Sequence, residues 1–283
     1  MVRLLLLLLV AIGFIGCQDG SSQKPMLWEI QTSPPSYLFG TYHTKDPAFI
    51  PPKIVFDKLK KSQRLYTEII LSQEAYDQIN AFATLSPPVP LDKRVSNVTI
   101  RKIKNYLQDI NSSLRIEDFS NLHLWAVGIV LSNEPENIIF GNRDFMDEQL
   151  VNYAKKNKIQ TKGLEEWREQ LEFLSTLLIA QQEDLLRYII DSLSHKEAIQ
   201  EWYSAGEPDG FVELEKKVSQ EYYHLMEPMR LARNETMARR IDILLQSKPK
   251  MGYFFAIGAG HLGQSDGVIE KLEQKGYKLK KLQ

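Results

Sequence analysis

Two short segments of this chain end alike. "YLFGTYH" closes on Gly40–His43, and "FFAIGAGHLG" contains Gly258–His261. In each, an apolar run stops at glycine, takes two more residues and reaches histidine. Imidazole titrates near neutrality and ligates zinc, manganese, iron or cobalt. Glycine lets the main chain turn sharply or come close to a ligand. If both runs are core strands, their ends can meet at the edge of one sheet, where ligands bind in open α/β folds. Two imidazoles there can bind one metal ion or act on one substrate. The plainer alternative is that each histidine caps its strand or satisfies a carbonyl.

A metal or hydrolytic site also needs carboxylates. Glu68 lies inside the apolar run "LYTEII". A charge there must be paired or sit at a strand end, because burying it alone is costly. It is a candidate metal ligand or general base for water; a solvent-facing glutamate on an alternating strand is the alternative. Glu165, in "KGLEEWREQ", is a second candidate at a strand end. There, Glu165 and Glu166 can equally serve the positive N-terminus of the next helix. Arg233 and Asn234, in "RLARNETMARRI", offer a rigid donor fork and an amide for a carboxylate or oxyanion. Several arginines crowd this stretch, so surface solvation is the default for most, and spacing alone does not single out Arg233.

The elements that must position these residues are legible in part. "LWEIQ" and "YLFGT" read as strands joined by the turn "TSPPS". "PPKIVFDKLKKS" reads as a short helix opened by proline, and "RLYTEIIL" as a strand over residues 64–71. Residues 142–157 read as a helix, followed by a strand in "KIQTKGLE". "MGYFFAIGA" is a buried strand, then come a helix, a Gly276 stop and a last strand. Apolar residues at helical spacing cover 171–193, and again run from Phe211 to Met229, where Pro228 is expected to kink or end the helix. Residues 74–130 look mainly helical. The expected fold class is α/β: a central mixed β-sheet built from both terminal regions, with a helical insertion over about 74–235.

Composition excludes some roles. At 43% hydrophobic and 25% charged, the 283 residues are those of an ordinary folded protein. A net charge of −1 gives no basic excess for nucleic acid. Residues 4–15 form an apolar run after Arg3, shorter than the roughly 20 residues a spanning helix needs. It reads as a signal peptide over residues 1–16. The boundary "FIGC" resembles a bacterial lipobox, which makes Cys17, the one cysteine, a lipid attachment point. Residues 17–25 then form a tether. The expected location is the bacterial cell envelope, facing the periplasm or exterior. Gln18 gives no retention signal of the aspartate type, which favours the outer membrane.

"SYLFGTYH", "TEI", "GLEEWREQ", "RNETMARRI" and "YFFAIGAGHLGQSDGVIEKLEQKGYKLKKL" occur in the order seen in the TraB/GumN family, which includes the animal TIKI proteins. Together they resemble that family over most of residues 26–283. The resemblance implies one domain over 26–283, of the type shared with erythromycin-esterase and ChaN-like folds, built from two related halves that each give one Gly-x-x-His. It implies a central site of His43, Glu68 and His261 holding a divalent metal: manganese or cobalt, with zinc as a further candidate. Glu68 and Arg233 are then the catalytic groups, and Arg233, Asn234 and Glu165 line the substrate. TIKI proteins are described as metal-dependent proteases that clip the amino-terminal end of Wnt proteins. The expectation is a metal-dependent hydrolase cutting peptide bonds of a peptide or protein substrate at the membrane surface. Two alternatives stand: a non-catalytic peptide or signal binder, and a metal-independent, esterase-like hydrolase.

The remaining histidines read as structural. His123 lies in the helical "NLHLWAVGIV" and is expected to be packed; His195 and His224 lie in the helical middle. The zincin pattern His-Glu-x-x-His, a Gly-x-Ser-x-Gly elbow and a Walker loop do not occur, which argues against those chemistries.

Overall fold

The structure is a computed structural model, described for residues 24–192, 195–248 and 250–283. The expected signal segment and the lipid site at Cys17 lie outside the described residues. Six strands form one mixed sheet in the order β4-β3-β5-β2-β1-β6. They are β1 (Leu27–Ile30), β2 (Ser36–Thr41), β3 (Arg64–Thr67), β4 (Gln160–Gly163), β5 (Tyr253–Gly258) and β6 (Leu279–Lys281). Four of them, β4, β3, β5 and β2, run parallel. Strand β1 pairs antiparallel with β2 and with β6, so both terminal regions share one edge.

Sequence explains the centre of this sheet. Every residue of β2 and β5 is buried, as befits parallel strands covered on both faces. Phe39, Phe254 and Phe255 have no measurable exposure. The register sets Thr41 beside Gly258, so the two Gly-x-x-His segments leave the sheet side by side. Strand β3 stops at Thr67, earlier than the apolar run to residue 71 suggests. There the Thr67 hydroxyl donates to the carbonyl of Ile69 at 2.8 Å and turns the chain. Glu68 therefore follows the strand instead of lying within it. Strand β4 is the polar "QTKG", half-exposed along its length, and is held by its ladder to β3 rather than by burial.

Eleven α-helices occur among the described residues. The chain divides into two compact units. One takes residues 71–142 and 167–196 and is helical: α2 (Gln73–Ala83), α3 (Asn97–Asp109), α4 (Leu124–Phe140), α6 (Trp167–Thr176) and α7 (Ile179–Ser192). Helix α4 is buried on nearly all sides over its first half. A Cβ on Gly128 would stand 2.9 Å from Ile189 Cδ1, so glycine permits the close approach of α4 and α7. His123 lies just before α4, half-buried, its ring parallel to that of Trp125.

The other unit holds residues 24–70, 143–166 and 197–283, with all six strands. Its helices are α1 (Lys53–Lys61), α5 (Met146–Lys156), α8 (Lys196–Ala205), α9 (Gly210–Val218), α10 (Gln220–Ser247) and α11 (Val268–Gln274). The span of about 74–235 is thus not one insertion. Residues 143–166 return to the sheet because β4 pairs with β3, and residues from 197 on belong to the sheet unit. Helix α10 corrects a second expectation: it runs through Pro228 without ending. Proline removes one backbone hydrogen bond there, a loss of about 3 kcal/mol, while buried Met226 and Met229 keep the helix packed on either side. Helical residues 171–193 likewise form two helices, α6 and α7.

Candidate active site

Four parallel strands each deliver one site residue just beyond their carboxyl ends. His43 follows β2, Glu68 follows β3, Glu165 follows β4 and His261 follows β5. Two further main-chain bonds, Leu164 N to Thr67 O at 2.8 Å and Glu165 N to Glu68 O at 2.7 Å, extend the β3–β4 ladder past the strands. They set Glu68 and Glu165 next to each other. Helix α10 crosses these ends with Arg230, Arg233 and Asn234 at helical positions i, i+3 and i+4, which share a face. Helix α5 brings Asp147 in its first turn, with Phe145 just before it.

Arg233 sits between the two glutamates. Its NH2 donates to Glu68 Oε2 at 2.5 Å and to Glu165 Oε2 at 2.7 Å, and its Nε meets both oxygens of Glu165 at 3.1 and 3.3 Å. All three side chains are at most 8% exposed. Burial disfavours the guanidinium, but the two carboxylates outweigh it and raise its pKa above the ordinary value. The second oxygen of Glu68 accepts from the Gly258 amide at 2.6 Å. Both Glu68 oxygens are thereby engaged.

His261 is fully enclosed. Its Nδ1 meets Asn234 Oδ1 at 2.6 Å. Burial, followed by the positive field of Arg233, drives its pKa well below the ordinary value, so the ring is neutral at pH 7. Its Nε2 lies 4.0 Å from Glu68 Oε1. A neutral ring makes no ion pair there.

His43 is held differently. Its Nδ1 meets Asp147 Oδ2 at 3.3 Å, and its ring stacks on Phe145 at 3.9 Å between centroids, only 6° from parallel. A carboxylate accepts, so Nδ1 carries a proton, and in the neutral ring Nε2 is then the acceptor. That Nε2 is buried and finds no hydrogen-bond partner among the described residues.

The sequence candidates His43, Glu68, Glu165, Arg233, Asn234 and His261 thus all lie in the sheet unit at one end of the parallel strands. Glu68, Glu165 and Arg233 form one ionic cluster, and Asn234 and His261 one hydrogen-bonded pair. Asn234, expected to line the substrate, binds His261 through Oδ1. Three participants escaped the sequence reading: Asp147, Arg230 and Asp266, which binds Arg230 through both carboxylate oxygens at 2.9 and 3.0 Å. Asp147 lies 104 residues from His43 and reads in sequence as an acid opening a helix.

The donor chemistry suits a divalent cation at the two imidazoles, because in each the Nδ1 is tied to an oxygen and Nε2 keeps its lone pair, the arrangement typical of metal-binding histidine. Glu68 does not complete a set of three. Among the described residues, no group of three or more His, Cys, Asp or Glu side chains is placed to hold a metal. The donors on offer to a cation are thus the two Nε2 atoms, one beyond β2 and one beyond β5.

The family model described as the TraB/PrgY/gumN family matches residues 26–281. Similar proteins include a "Metalloprotease TIKI homolog" of Amphimedon queenslandica, 24% identical over 100% of this chain and 66% of the relative. "Metalloprotease TIKI1" of Danio rerio is 24% identical over 93% of this chain and 65% of its own length. "Metalloprotease TIKI1" of Homo sapiens is 23% identical over 95% and 65%. The chain spans just under two thirds of the length of these curated relatives. No solved structure matches it.

Proposed function

Because the chain belongs to the TraB/PrgY/gumN family, we propose that it is a hydrolase of peptide bonds in which Nε2 of His43 and of His261 hold a divalent cation. One observation carries this reading: two buried imidazoles, each fixed through Nδ1, each leaving Nε2 as an acceptor. The names of its relatives support the reaction class. Manganese or cobalt are the first ions to test, on the resemblance to the TIKI proteins alone, and zinc follows because imidazole suits it. When bound, such an ion polarises a scissile carbonyl and acidifies water.

The chain's own residues do the rest. Arg233 binds the two glutamates through Nε and NH2, and NH1 is the donor for negative charge developing on the carbonyl oxygen. Glu68, the carboxylate 4.0 Å from His261 Nε2, takes the proton of the attacking water and returns it to the leaving amine. Glu165 keeps Arg233 in place. A cleft of about 740 Å³ opens beside Leu262, the residue after His261, with Trp28, Glu207, Asp209, Gln264 and Glu270 among its walls. It offers room for side chains of an extended peptide. The lipid anchor at Cys17, and with it action at the surface of an envelope membrane, rests on the sequence of residues 1–25.

The test is cleavage of a peptide library by the full chain loaded in turn with manganese, cobalt or zinc. Activity with one ion is expected, with loss of both cleavage and bound metal in His43→Ala and in His261→Ala. Unchanged metal content and cleavage in both variants would sink the proposal. A second reading, hydrolysis with a histidine as base and no metal, is favoured by the engagement of both Glu68 oxygens with Gly258 and Arg233. Cleavage that survives exhaustive chelation selects it.

A further inference from the structure

Of the two imidazoles, His261 has the longer support. Its Nδ1 meets Oδ1 of Asn234, and Nδ2 of Asn234 donates to the main-chain oxygen of Asp266 at 2.9 Å. A carbonyl oxygen can only accept, so that contact fixes which end of the amide is NH2. The other end is then an oxygen, which also can only accept. The proton must therefore sit on Nδ1 of His261, and Nε2 must be bare. The tautomer of His261 is decided at the carbonyl of Asp266.

That carbonyl is held by its own side chain. The Asp266 carboxylate grips NH1 and NH2 of Arg230 in the paired geometry that fixes direction as well as distance. Arg230 is buried, and its Nε finds no partner among the described residues. The turn bearing Asp266 is tight. Gly267 N donates to Gln264 O at 3.0 Å, Gln264 has a φ of 71°, and a Cβ on Gly267 would stand 2.1 Å from Gly263 O. One face of α10 thus holds the turn through Arg230 and the imidazole through Asn234.

We infer that Arg230 and Asp266 are a positioning pair that sets the tautomer of His261 from outside the site, so that Nε2 faces a cation or a substrate proton. The tautomer itself is independent of the hydrolase reading; its consequence for metal binding and cleavage rests on that reading. His43 has no such relay, since Asp147 contacts it directly.

Long-range proton–nitrogen spectra of the histidine rings, recorded on the full, metal-free protein, report each tautomer. The wild type is expected to show His261 with its proton on Nδ1. Arg230→Gln and Asp266→Ala each remove the ion pair but keep the main-chain oxygen at position 266. Each should move His261 to a mixture of tautomers and leave His43 unchanged. Exchanging the two charges, Arg230→Asp with Asp266→Arg, should restore the single form. Calorimetric affinity for manganese should fall about 10-fold in each single variant, as expected when the group orienting a ligand is lost, and recover in the exchange. A wild-type His261 with its proton on Nε2 overturns the inference. So does a single variant that folds and keeps the Nδ1 form. Should one variant fail to fold, the wild-type spectrum and the other variant decide. Tautomers that respond while no cation binds would defeat the metal reading and leave the positioning pair standing.

Discussion

Arg233→Met is the most telling perturbation of the ionic cluster. The guanidinium lies between two carboxylates that are 3% and 2% exposed, at 2.5 and 2.7 Å. At an effective dielectric of about 20, each contact is worth roughly 6 kcal/mol before the cost of dehydrating the charges. Most of that gain is cancelled by desolvation, so the pairing itself adds little net stability. Removing the cation is another matter, because it leaves both carboxylates buried and facing each other. The expected loss is about 3–5 kcal/mol near pH 8. In the variant one glutamate can escape by binding a proton, so its folded pKa rises above the unfolded value. A raised carboxyl pKa favours the fold at low pH and withdraws that support as pH rises through it. The deficit against wild type should therefore shrink on acidification, by up to about 1.4 kcal/mol per pH unit per proton. Urea unfolding at pH 8 and pH 5.5 measures both quantities. Adding Glu165→Gln should recover part of the loss at pH 8. A deficit below about 1 kcal/mol, or one that does not change with pH, would mean the cluster is open to water, and the argument fails.

Other consequences can be measured on the same protein. His261 is neutral in the fold, while the unfolded chain protonates near its ordinary value of 6.5, so the unfolded state binds more protons below that pH and stability should rise with pH toward 6.5; His261→Asn should flatten a plot of urea midpoint against pH. Glu215, pushed up to about 7 by burial, works in the opposite sense between 4.5 and 7, so Glu215→Gln should steepen the same plot. A Cβ at Gly40 would meet Leu262 Cδ1 at 2.6 Å and Ala259 Cα at 3.2 Å, so Gly40→Ala should cost about 1–3 kcal/mol in urea unfolding; a neutral result would refute tight packing of the two turns. Tyr203 donates to the Gly40 carbonyl at 2.9 Å, and Tyr203→Phe should cost about 1–2 kcal/mol by leaving that buried oxygen unpaired.

The residues of the site were more legible than their jobs. Apolar runs that stop at glycine marked β2 and β5, because only core strands need such runs, and so revealed His43 and His261. Glu68 was visible as a charge misplaced in an apolar stretch. What sequence left hidden is what depends on distance along the chain. Nothing near Asp147 announces His43, and nothing in "RLARNETMARRI" separates Arg230, which grips a turn, from Arg233, which holds two carboxylates. Glu165 read equally well as a helix-start acid, and its partner settles the matter only in three dimensions. Pro228 misled because the local rule for proline says nothing of the packing that carries α10 past it. Strand β4 has almost no apolar signal to pair with its neighbour; its ladder comes from the backbone.

The central strand of the sheet is the fifth of its six strands in chain order. Strand β5, residues 253–258, lies between β3 and β2, which end at residues 67 and 41. Without it the sheet falls into two separate pieces, β4 with β3, and β2 with β1 and β6. A ribosome releases the amino-terminal part first, so the nascent protein holds His43, Glu68 and Glu165 long before they have a common floor. A product that stops before β5 therefore lacks both His261 and the strand that joins the two pieces.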